Sequence, residues 1–301
     1  MKYRPLGKTG LTVSVIGIGT WQFGGEWGKV FSQREVDEIM DAGREAGICL
    51  VDTAECYGDH LSERLVGNAV RRDRDKWVVA TKFGHKFTGI FEREQQWSAA
   101  EVQAQLEASL EALGVDHVDL YQFHSGGNEV FENDELWTAL DKQVKAGKVG
   151  HLGISVTQSC QDDQTRKASK VGAEAIQVIY NRLERSPERV VIPSCKEQNL
   201  GLLARVPLAS GFLSGKYSKG TRFGATDTRS RKDPADIDRM LEEAARIQKE
   251  EVPPGIDMAS WALAWCLQGE AVSCVIPGCK NADHVRMNAK AADLSLAEGK
   301  A

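Results

Sequence analysis

Strand-like and helix-like segments alternate along almost the whole chain of 301 residues, and this alternation constrains the fold most. Short apolar runs rich in β-branched or aromatic residues predict buried strands, and apolar residues at helical spacing predict helices. The predicted strands are 15–19, 48–52, 77–81, 117–123, 149–154, 174–179, 200–206 and 271–276. The predicted helices are 33–45, 61–71, 98–112, 132–146, 158–170, 187–197, 235–249, 256–268 and 281–289.

Eight such units predict parallel strands joined by helical crossovers, because strands that alternate with helices in sequence pair in parallel. An α/β fold of the (β/α)8 TIM-barrel type fits this chain length, with a short β-hairpin before the first barrel strand around Thr9-Gly10-Leu11. A doubly wound open sheet is the rival fold. It is disfavoured because no Gly-x-Gly-x-x-Gly stretch follows a predicted strand and opens a helix. No proline-rich or low-complexity linker divides the sequence, so residues 1–301 are expected to form a single domain.

The overall composition indicates a globular protein that binds neither nucleic acid nor membrane. The net charge of −5 argues against a general nucleic-acid binder. No apolar stretch reaches the roughly 18 residues that are needed to span a bilayer. The first six residues lack the apolar segment of a signal peptide, so a cytoplasmic location is expected.

Seven cysteines are scattered along the chain without a Cys-x-x-Cys pair. This pattern argues against a disulfide framework and against a zinc site built from cysteines. Most of the cysteines are expected to be small buried residues in a reducing compartment. Cys56 stands apart because it adjoins Tyr57, although no histidine partner for it is visible in the sequence.

Four polar residues stand at or just after the ends of predicted strands: Asp52, Tyr57, Lys82 and His124. The chemistry of a (β/α)8 barrel gathers at the C-terminal ends of its strands. Neighbouring strands lie about 4.8 Å apart, so side chains on three adjacent strand ends can converge. The four residues are therefore candidates for one catalytic site.

These four residue types suit the protonation of an oxygen atom. A phenol has an ordinary pKa of about 10, and a neighbouring cation lowers it. Lys82 can supply that cation, and Asp52 can supply the counter-charge that a buried lysine needs. His124 can hydrogen-bond to a substrate oxygen. No metal is required, and no cluster with ligand spacing is visible in the sequence.

Ordered motifs along some 280 residues resemble the aldo-keto reductase family, in particular its prokaryotic branch. The matching stretches are Val51-Asp52-Thr53-Ala54-Glu55-Cys56-Tyr57-Gly58, Ser62-Glu63, Gly67, 79–82, 119–124, 153–155, Gln177, 180–181, 207–217 and 276–278. The resemblance implies that NAD(P)H reduces an aldehyde or ketone to an alcohol. It also implies that Tyr57 is the general acid, that Lys82 and Asp52 tune it, and that His124 orients the carbonyl.

The resemblance further implies where a nicotinamide cofactor and a small carbonyl substrate bind. Ser155 and Gln177 match positions that bind the carboxamide, 208–216 matches the segment over the pyrophosphate, and Gly278, Lys280 and Asn288 match the adenosine end. The implied cofactor contacts are Ser155, Gln177, Arg205, Pro207, Leu208, Gly211, Leu213, Gly215, Lys216, Gly278, Lys280, His284 and Asn288. Candidates for the substrate pocket are Trp21, Phe23, Trp27 and His85, although His85 and the three aromatic residues also suit purely structural packing.

The cofactor half departs from the family pattern at several positions. Val156 stands where Asn is usual, Arg205 where an aromatic residue often stacks on nicotinamide, and Met287 next to Asn288 where several members have Glu. Asn281 follows Lys280, where arginine is common in this branch. NADPH is the expected cofactor, and NADH is not excluded.

Two functions from different classes remain open at the level of sequence. The first is an NADPH-dependent carbonyl reductase acting on a sugar or small aldehyde. The second is an NADPH-binding redox sensor or regulatory subunit with little turnover, and a barrel hydrolase or lyase ranks last because no paired acids are visible. The sequence decides neither the substrate nor whether the chain is a monomer or a homo-oligomer.

Overall fold

The computed structural model describes residues 1–296, and a sheet of eight parallel strands stands at its centre. These strands are β3 (Ile18–Gly19), β4 (Leu50–Asp52), β5 (Val78–Phe83), β8 (Val118–His124), β9 (Val149–Ser155), β10 (Ala173–Ile179), β11 (Gly201–Arg205) and β12 (Cys274–Ile276). They pair in chain order. Parallel bridges from Ile16 to Val275 and from Gly19 to Gly278 join the two edges. The sheet is therefore a nearly closed barrel, which confirms the predicted (β/α)8 fold and its eight units.

Helices follow the barrel strands and form the outer layer. They are α1 (Gln33–Glu45), α2 (Leu61–Val70), α3 (Ala99–Leu113), α4 (Asn128–Phe131), α5 (Asp134–Lys145), α6 (Gln161–Lys167), α7 (Val191–Gln198), α8 (Pro234–Glu250), α9 (Met258–Leu267) and α10 (Ala282–Lys290). The main hydrophobic core lies between this layer and the strands. Within residues 1–296, no helix has the length and apolar character to cross a membrane.

A second, smaller core fills the barrel interior below the strand ends. It contains Leu50, Ala80, Leu120, Ala175 and Leu203, one from each of five strands. The N-terminal hairpin of β1 (Tyr3–Pro5) and β2 (Thr12–Ser14) adds residues to this core and covers that end of the barrel. The predicted N-terminal hairpin is thereby confirmed. The opposite end, where the strands finish, is left free for a site.

An antiparallel hairpin between β5 and α3 was absent from the predicted elements. It consists of β6 (His85–Gly89) and β7 (Glu92–Gln95). Both of its faces are partly exposed, so its sequence lacks the alternation of apolar and polar residues that marks a half-buried strand. The hairpin stands at the C-terminal end of the barrel and helps to wall the candidate site.

The other differences between the predicted and observed elements concern where strands and helices begin and end. The predicted strand 271–276 is formed only over Cys274–Ile276, and the predicted helix 158–170 is α-helical only over Gln161–Lys167 before a 3-10 turn. The predicted helix 187–197 begins later, at Val191, after a separate 3-10 turn at Ser186–Glu188. Backbone geometry at the ends of elements depends on tertiary contacts that residue patterns do not record.

Candidate active site

A cavity of about 700 Å³ opens at the C-terminal ends of the barrel strands. Asp52, Tyr57 and His124 line it, and Lys82 lies directly beneath them. Asp52 ends β4, Lys82 lies near the end of β5, and His124 ends β8; these three strands are neighbours in the sheet. The structure therefore brings together the four residues that the sequence singled out.

A buried ion pair lies at the base of this group. Lys82 Nζ is 2.7 Å from Asp52 Oδ1, and the two side chains are almost completely inaccessible to solvent. The ammonium also donates to the Thr53 carbonyl at 2.6 Å and to the Tyr57 hydroxyl at 3.2 Å. Burial alone would lower the pKa of Lys82, but the Asp52 carboxylate and the phenol raise it above its ordinary value. Lys82 is therefore a cation that points at the phenol oxygen.

The second oxygen of Asp52 is held from the other side of the barrel. Gln122 Nε2 donates to Asp52 Oδ2 at 3.0 Å, and Gln177 Nε2 donates to the same atom at 2.7 Å. Ser155 in turn donates to Gln177 Oε1 at 3.3 Å. The carboxylate thus links β4, β8 and β10, and Ser155 extends this network to β9.

Tyr57 lies beside Lys82, and the pKa of its phenol is raised. Burial raises the pKa of Tyr57 to about 12, although the Lys82 charge acts in the opposite direction. Lys82 lowers the pKa of the phenol, as the sequence predicts, but removal from water outweighs this effect. At neutral pH the phenol is protonated and can act only as a proton donor to a suitable acceptor.

His124 completes the group as a neutral imidazole. Its ring packs edge-on against Tyr57, with centroids 6.1 Å apart. Burial, followed by the charges of His85 and Lys82, lowers its pKa well below the ordinary value. Its Nδ1 lies 3.7 Å from Cys56 Sγ, which leaves Nε2 available for a ligand. His85 Nε2 lies 2.7 Å from the His124 carbonyl oxygen, so His85 lines the cavity and supports the neighbouring strand end.

The fold also brings together Glu55, Cys56 and His124, whose potential ligand atoms lie within 4.8 Å of one another. Three cations near this cluster, Arg93, Arg205 and Lys82, lower the pKa of His124. Two of them are paired with carboxylates, Arg93 with Glu26 and Lys82 with Asp52. Burial, then Glu63, raises the pKa of Glu55 to about 8, which keeps this buried carboxyl largely uncharged at neutral pH.

Aromatic residues form one wall above Tyr57. Trp21 stacks on Tyr57 with ring centroids 6.2 Å apart, and Trp27 packs edge-on against Trp21 at 5.1 Å. Both tryptophans line the cavity, as does His85. Phe23 does not. It is fully buried against Phe31, so its assignment to the substrate pocket is corrected: its ring belongs to the core behind the first loop.

Three residues that the sequence pattern does not single out complete this wall. Phe91 and Arg93 reach the cavity from the β6–β7 hairpin, and Arg231 reaches it from the loop before α8. The buried carboxylate of Glu26 holds the first two, because it accepts from the Phe91 backbone at 2.9 Å and pairs with Arg93 at 2.6 Å, and it also accepts from Trp21 Nε1 at 2.7 Å. The sequence does not predict that Glu26 is buried, and its position between two tryptophans is the one indication of its role.

Most of the implied cofactor contacts line the other half of the cavity. They are Gln177, Arg205, Pro207, Leu208, Gly211, Lys216, Gly278, Lys280, His284 and Asn288. Ser155, Leu213 and Gly215 do not line it. The assignment of Leu213 is corrected, because its side chain is fully buried in a separate core with Phe212 and Leu241. Gly215 adopts a left-handed φ of 72° that ends a turn, and Ser155 lies one layer deeper, against Gln177.

The loop after β11 has backbone φ angles that residues other than glycine rarely adopt. Val206, Ala209 and Ser210 all have positive φ angles, of 55°, 48° and 59°. Each costs of the order of 1 kcal/mol or more, and such strain collects at binding sites. Turns that mix left- and right-handed residues can also present backbone N–H groups to an anion. The conformation of this loop fits the predicted role of holding a diphosphate.

Positive charge gathers at the end of the cavity near α10. Burial, then the charges of Lys216 and Lys280, lowers the pKa of His284. Lys29 lies beside this group, where its Nζ donates to the Lys280 carbonyl at 3.2 Å and pairs with Glu35 at 3.0 Å. Lys216 lies far from Lys280 along the chain, so the sequence pattern does not show that both stand near His284.

Arg205 is a cation in the cavity wall that has no carboxylate partner among residues 1–296. Its Nη2 donates to the Val156 carbonyl at 3.1 Å, and its buried Nε has no partner among residues 1–296. Burial lowers its pKa, while Tyr57 and Asp52 oppose that effect. A ligand acceptor beside Nε would satisfy this group.

Removal of one partner of the central ion pair should destabilise the fold strongly. Asp52→Asn leaves the Lys82 charge buried and uncompensated, which is expected to cost about 3–5 kcal/mol in the free energy of unfolding. The double variant Asp52→Asn/Lys82→Met removes that charge and should recover most of the loss. Urea denaturation measures both, with Asp141→Asn in the exposed Lys145–Asp141 pair as the control, for which less than about 1 kcal/mol is expected. A loss below about 1 kcal/mol for Asp52→Asn would contradict this account.

Comparisons with known proteins agree with this geometry. The sequence profile described as "Aldo/keto reductase family" matches residues 15–300. The uncharacterized oxidoreductase YrpG of Bacillus subtilis is 32% identical, with 98% of this chain and 92% of that protein covered. The NADH-specific methylglyoxal reductase of Escherichia coli is 29% identical, with 100% and 96% covered.

A solved structure gives the same result. The aldo-keto reductase AKR11C1 from Bacillus halodurans, in its holo form, superposes with a TM-score of 0.82. It is 27% identical to this chain, and the match covers 98% of this chain and 92% of that one. The strand-end tetrad, the barrel and these matches lead to one conclusion: the chain belongs to the aldo/keto reductase family.

Proposed function

We propose that the chain reduces an aldehyde or ketone to an alcohol, with Tyr57 as the proton donor. The observation that supports this most is the contact of a protonated, partly buried phenol with the Lys82 ammonium at 3.2 Å, at the floor of an open cavity. A bound reduced nicotinamide supplies the hydride to the carbonyl carbon. The protein supplies the proton to the carbonyl oxygen, and the charge of Lys82 stabilises the phenolate that forms.

His124 has a positioning role in this scheme. As a neutral imidazole beside Tyr57, it can donate a hydrogen bond to the carbonyl oxygen without competing as an acid. Trp21 and Trp27 limit the space above the phenol. Asp52 keeps the Lys82 charge in place, and the two glutamines hold Asp52.

The cofactor half supports a nicotinamide dinucleotide. The cavity volume, the strained loop after β11 and the lysine group near α10 suit a long, anionic ligand. We propose NADPH as the preferred form, because Lys216 and Lys280 both line this end of the cavity and together suit an additional phosphate. Arg205, with its unpartnered Nε, would contact the nicotinamide end, where its charge favours the neutral reduced ring over the cationic oxidised ring.

Replacement of the proton donor tests the proposed function directly. Tyr57→Phe removes only the hydroxyl and should lower kcat for simple aldehydes by at least about 100-fold, the usual size of general-acid contributions. The measurement is the loss of absorbance of reduced nicotinamide, and Tyr3→Phe on the exposed N-terminal hairpin is the matched control. Full activity in Tyr57→Phe would remove Tyr57 from the mechanism. Tight NADPH binding without turnover by the unmodified protein would instead support the regulatory alternative.

The pH dependence should reflect the raised pKa of Tyr57. The reduction needs the protonated phenol, which is present below the folded-state pKa of about 12 and is lost as the pH rises through it. The value of kcat/KM for the carbonyl should therefore show no loss attributable to Tyr57 between about pH 7 and 10. Alcohol oxidation needs the phenolate and should rise across the same range. Samples returned to neutral pH control for alkaline denaturation, and a reversible fall in reduction centred near pH 8 would contradict the assignment.

Initial rates with the two cofactors test the NADPH proposal. Lys280→Met should raise KM for NADPH by roughly tenfold, as expected when a charged group loses its hydrogen-bonding partner, and should change KM for NADH little. Lys145→Met on the exposed face of α5 is the control for a lost charge. A higher kcat/KM with NADH in the unmodified protein would overturn the preference.

A further inference from the structure

The substrate half of the cavity has no free negative charge to balance its cations. Glu26 and Asp52 are the acidic residues that line the cavity within residues 1–296. Glu26 is occupied by Arg93, Trp21 and the Phe91 backbone. Asp52 is occupied by Lys82 and two glutamines. Both carboxylates are therefore neutralised by the protein itself.

Arg231 lines the cavity and, unlike Arg93 and Arg229, has no carboxylate partner in the described residues. Arg93 is paired with Glu26 and Arg229 with Asp227, whereas Arg231 makes no ion pair in the described part of the chain. The nearby acids are already engaged: Asp233 caps α8 through the Ala235 backbone, and Asp236 pairs with Arg239. The guanidinium of Arg231 stands 5.3 Å from the centre of the Phe91 ring, which holds it at the cavity wall.

The path from Arg231 to Tyr57 is lined by aromatic rings. Phe91 and Trp21 are bridged by the Glu26 carboxylate, and Trp21 stacks on Tyr57. A molecule whose carbonyl oxygen meets Tyr57 and whose other end meets Arg231 therefore passes Trp21 and Phe91, beside which Arg93 and Glu26 are already paired with each other. That geometry favours an apolar spacer between the carbonyl and a distal negative group.

A ligand phosphate bound near α10 would not explain why Arg231 lacks a carboxylate partner. Lys216 and Lys280 flank His284, whereas Arg231 packs on the β6–β7 hairpin. Arg205, also without a carboxylate partner, adds to the positive potential around His124. An anionic substrate would be attracted into this half of the cavity, and a cationic one would be repelled.

We infer that the carbonyl substrate carries a carboxylate, separated from the carbonyl by an apolar spacer, and that Arg231 binds this carboxylate. The guanidinium of Arg231, without an ion-pair partner in the described residues, can present two parallel N–H donors to a carboxylate. This inference rests on the proposed function, since it assigns a substrate class to the same site.

The test compares two aldehydes of the same shape, 4-carboxybenzaldehyde and its neutral amide, 4-carbamoylbenzaldehyde. The unmodified protein should have the higher kcat/KM for the carboxylate, and added salt should reduce this advantage. Arg231→Gln should lower the carboxylate-to-amide ratio of kcat/KM by about three- to fivefold, the range for an ion pair at an exposed rim. Lys232→Gln removes the same charge at the next residue and should leave the ratio unchanged.

A ratio at or below one in the unmodified protein, or the same ratio in Arg231→Gln, would overturn the inference. A binding measurement separates this result from failure of the proposed function. Calorimetry with 4-(hydroxymethyl)benzoate and its amide requires no turnover and should show the same preference and the same loss in Arg231→Gln. If neither aldehyde is reduced but the benzoate binds preferentially through Arg231, the anion site stands and the reductase proposal fails. Equal binding of the two alcohols would overturn the anion site.

Discussion

The buried ion pair between Asp52 and Lys82 is the interaction on which the rest of the site depends. Taking two charges out of water costs several kcal/mol, and it is repaid only when every remaining hydrogen-bonding position is filled. Here Lys82 also donates to the Thr53 carbonyl and the Tyr57 hydroxyl, and Asp52 also accepts from Gln122 and Gln177. The pair thus fixes the phenol relative to three barrel strands. It also connects the proton-donating side of the cavity to the strand ends that face the cofactor half.

The sequence predicts the barrel and the tetrad well because both depend on periodic patterns. Alternating strand and helix segments imply parallel pairing, and polar residues at the ends of adjacent parallel strands must converge. Phe23 lies in the predicted loop but not in the pocket, because the direction of a side chain within a loop depends on packing. The β6–β7 hairpin cannot be predicted from the pattern because neither of its faces is fully buried. The lowering effect of Lys82 on the pKa of Tyr57 is predictable, but the larger effect of removal from water cannot be read from neighbouring residues.

The cavity divides into halves that differ in how their charges are balanced. Around Tyr57 the protein balances its own charges, through Lys82 with Asp52 and Arg93 with Glu26. Lys216 and Lys280 toward α10, and Arg205 and Arg231, have no carboxylate partner within residues 1–296, whereas Lys29 is paired with Glu35 at 3.0 Å. Uncompensated cations in a cavity wall favour anionic ligands, which suits a phosphate-bearing cofactor in one half and an acidic carbonyl compound in the other. The sequence could not show this balance, because the partners are far apart along the chain.

The central claim is that the carbonyl carbon receives hydride from bound nicotinamide while Tyr57 supplies the proton. Reduction of an aldehyde with nicotinamide deuterated at the transferable position tests it most directly. The account predicts a product alcohol with one deuterium on the former carbonyl carbon, as read by mass spectrometry, and almost no such product from Tyr57→Phe. An alcohol formed without deuterium on that carbon, or formed equally well by Tyr57→Phe, would contradict it.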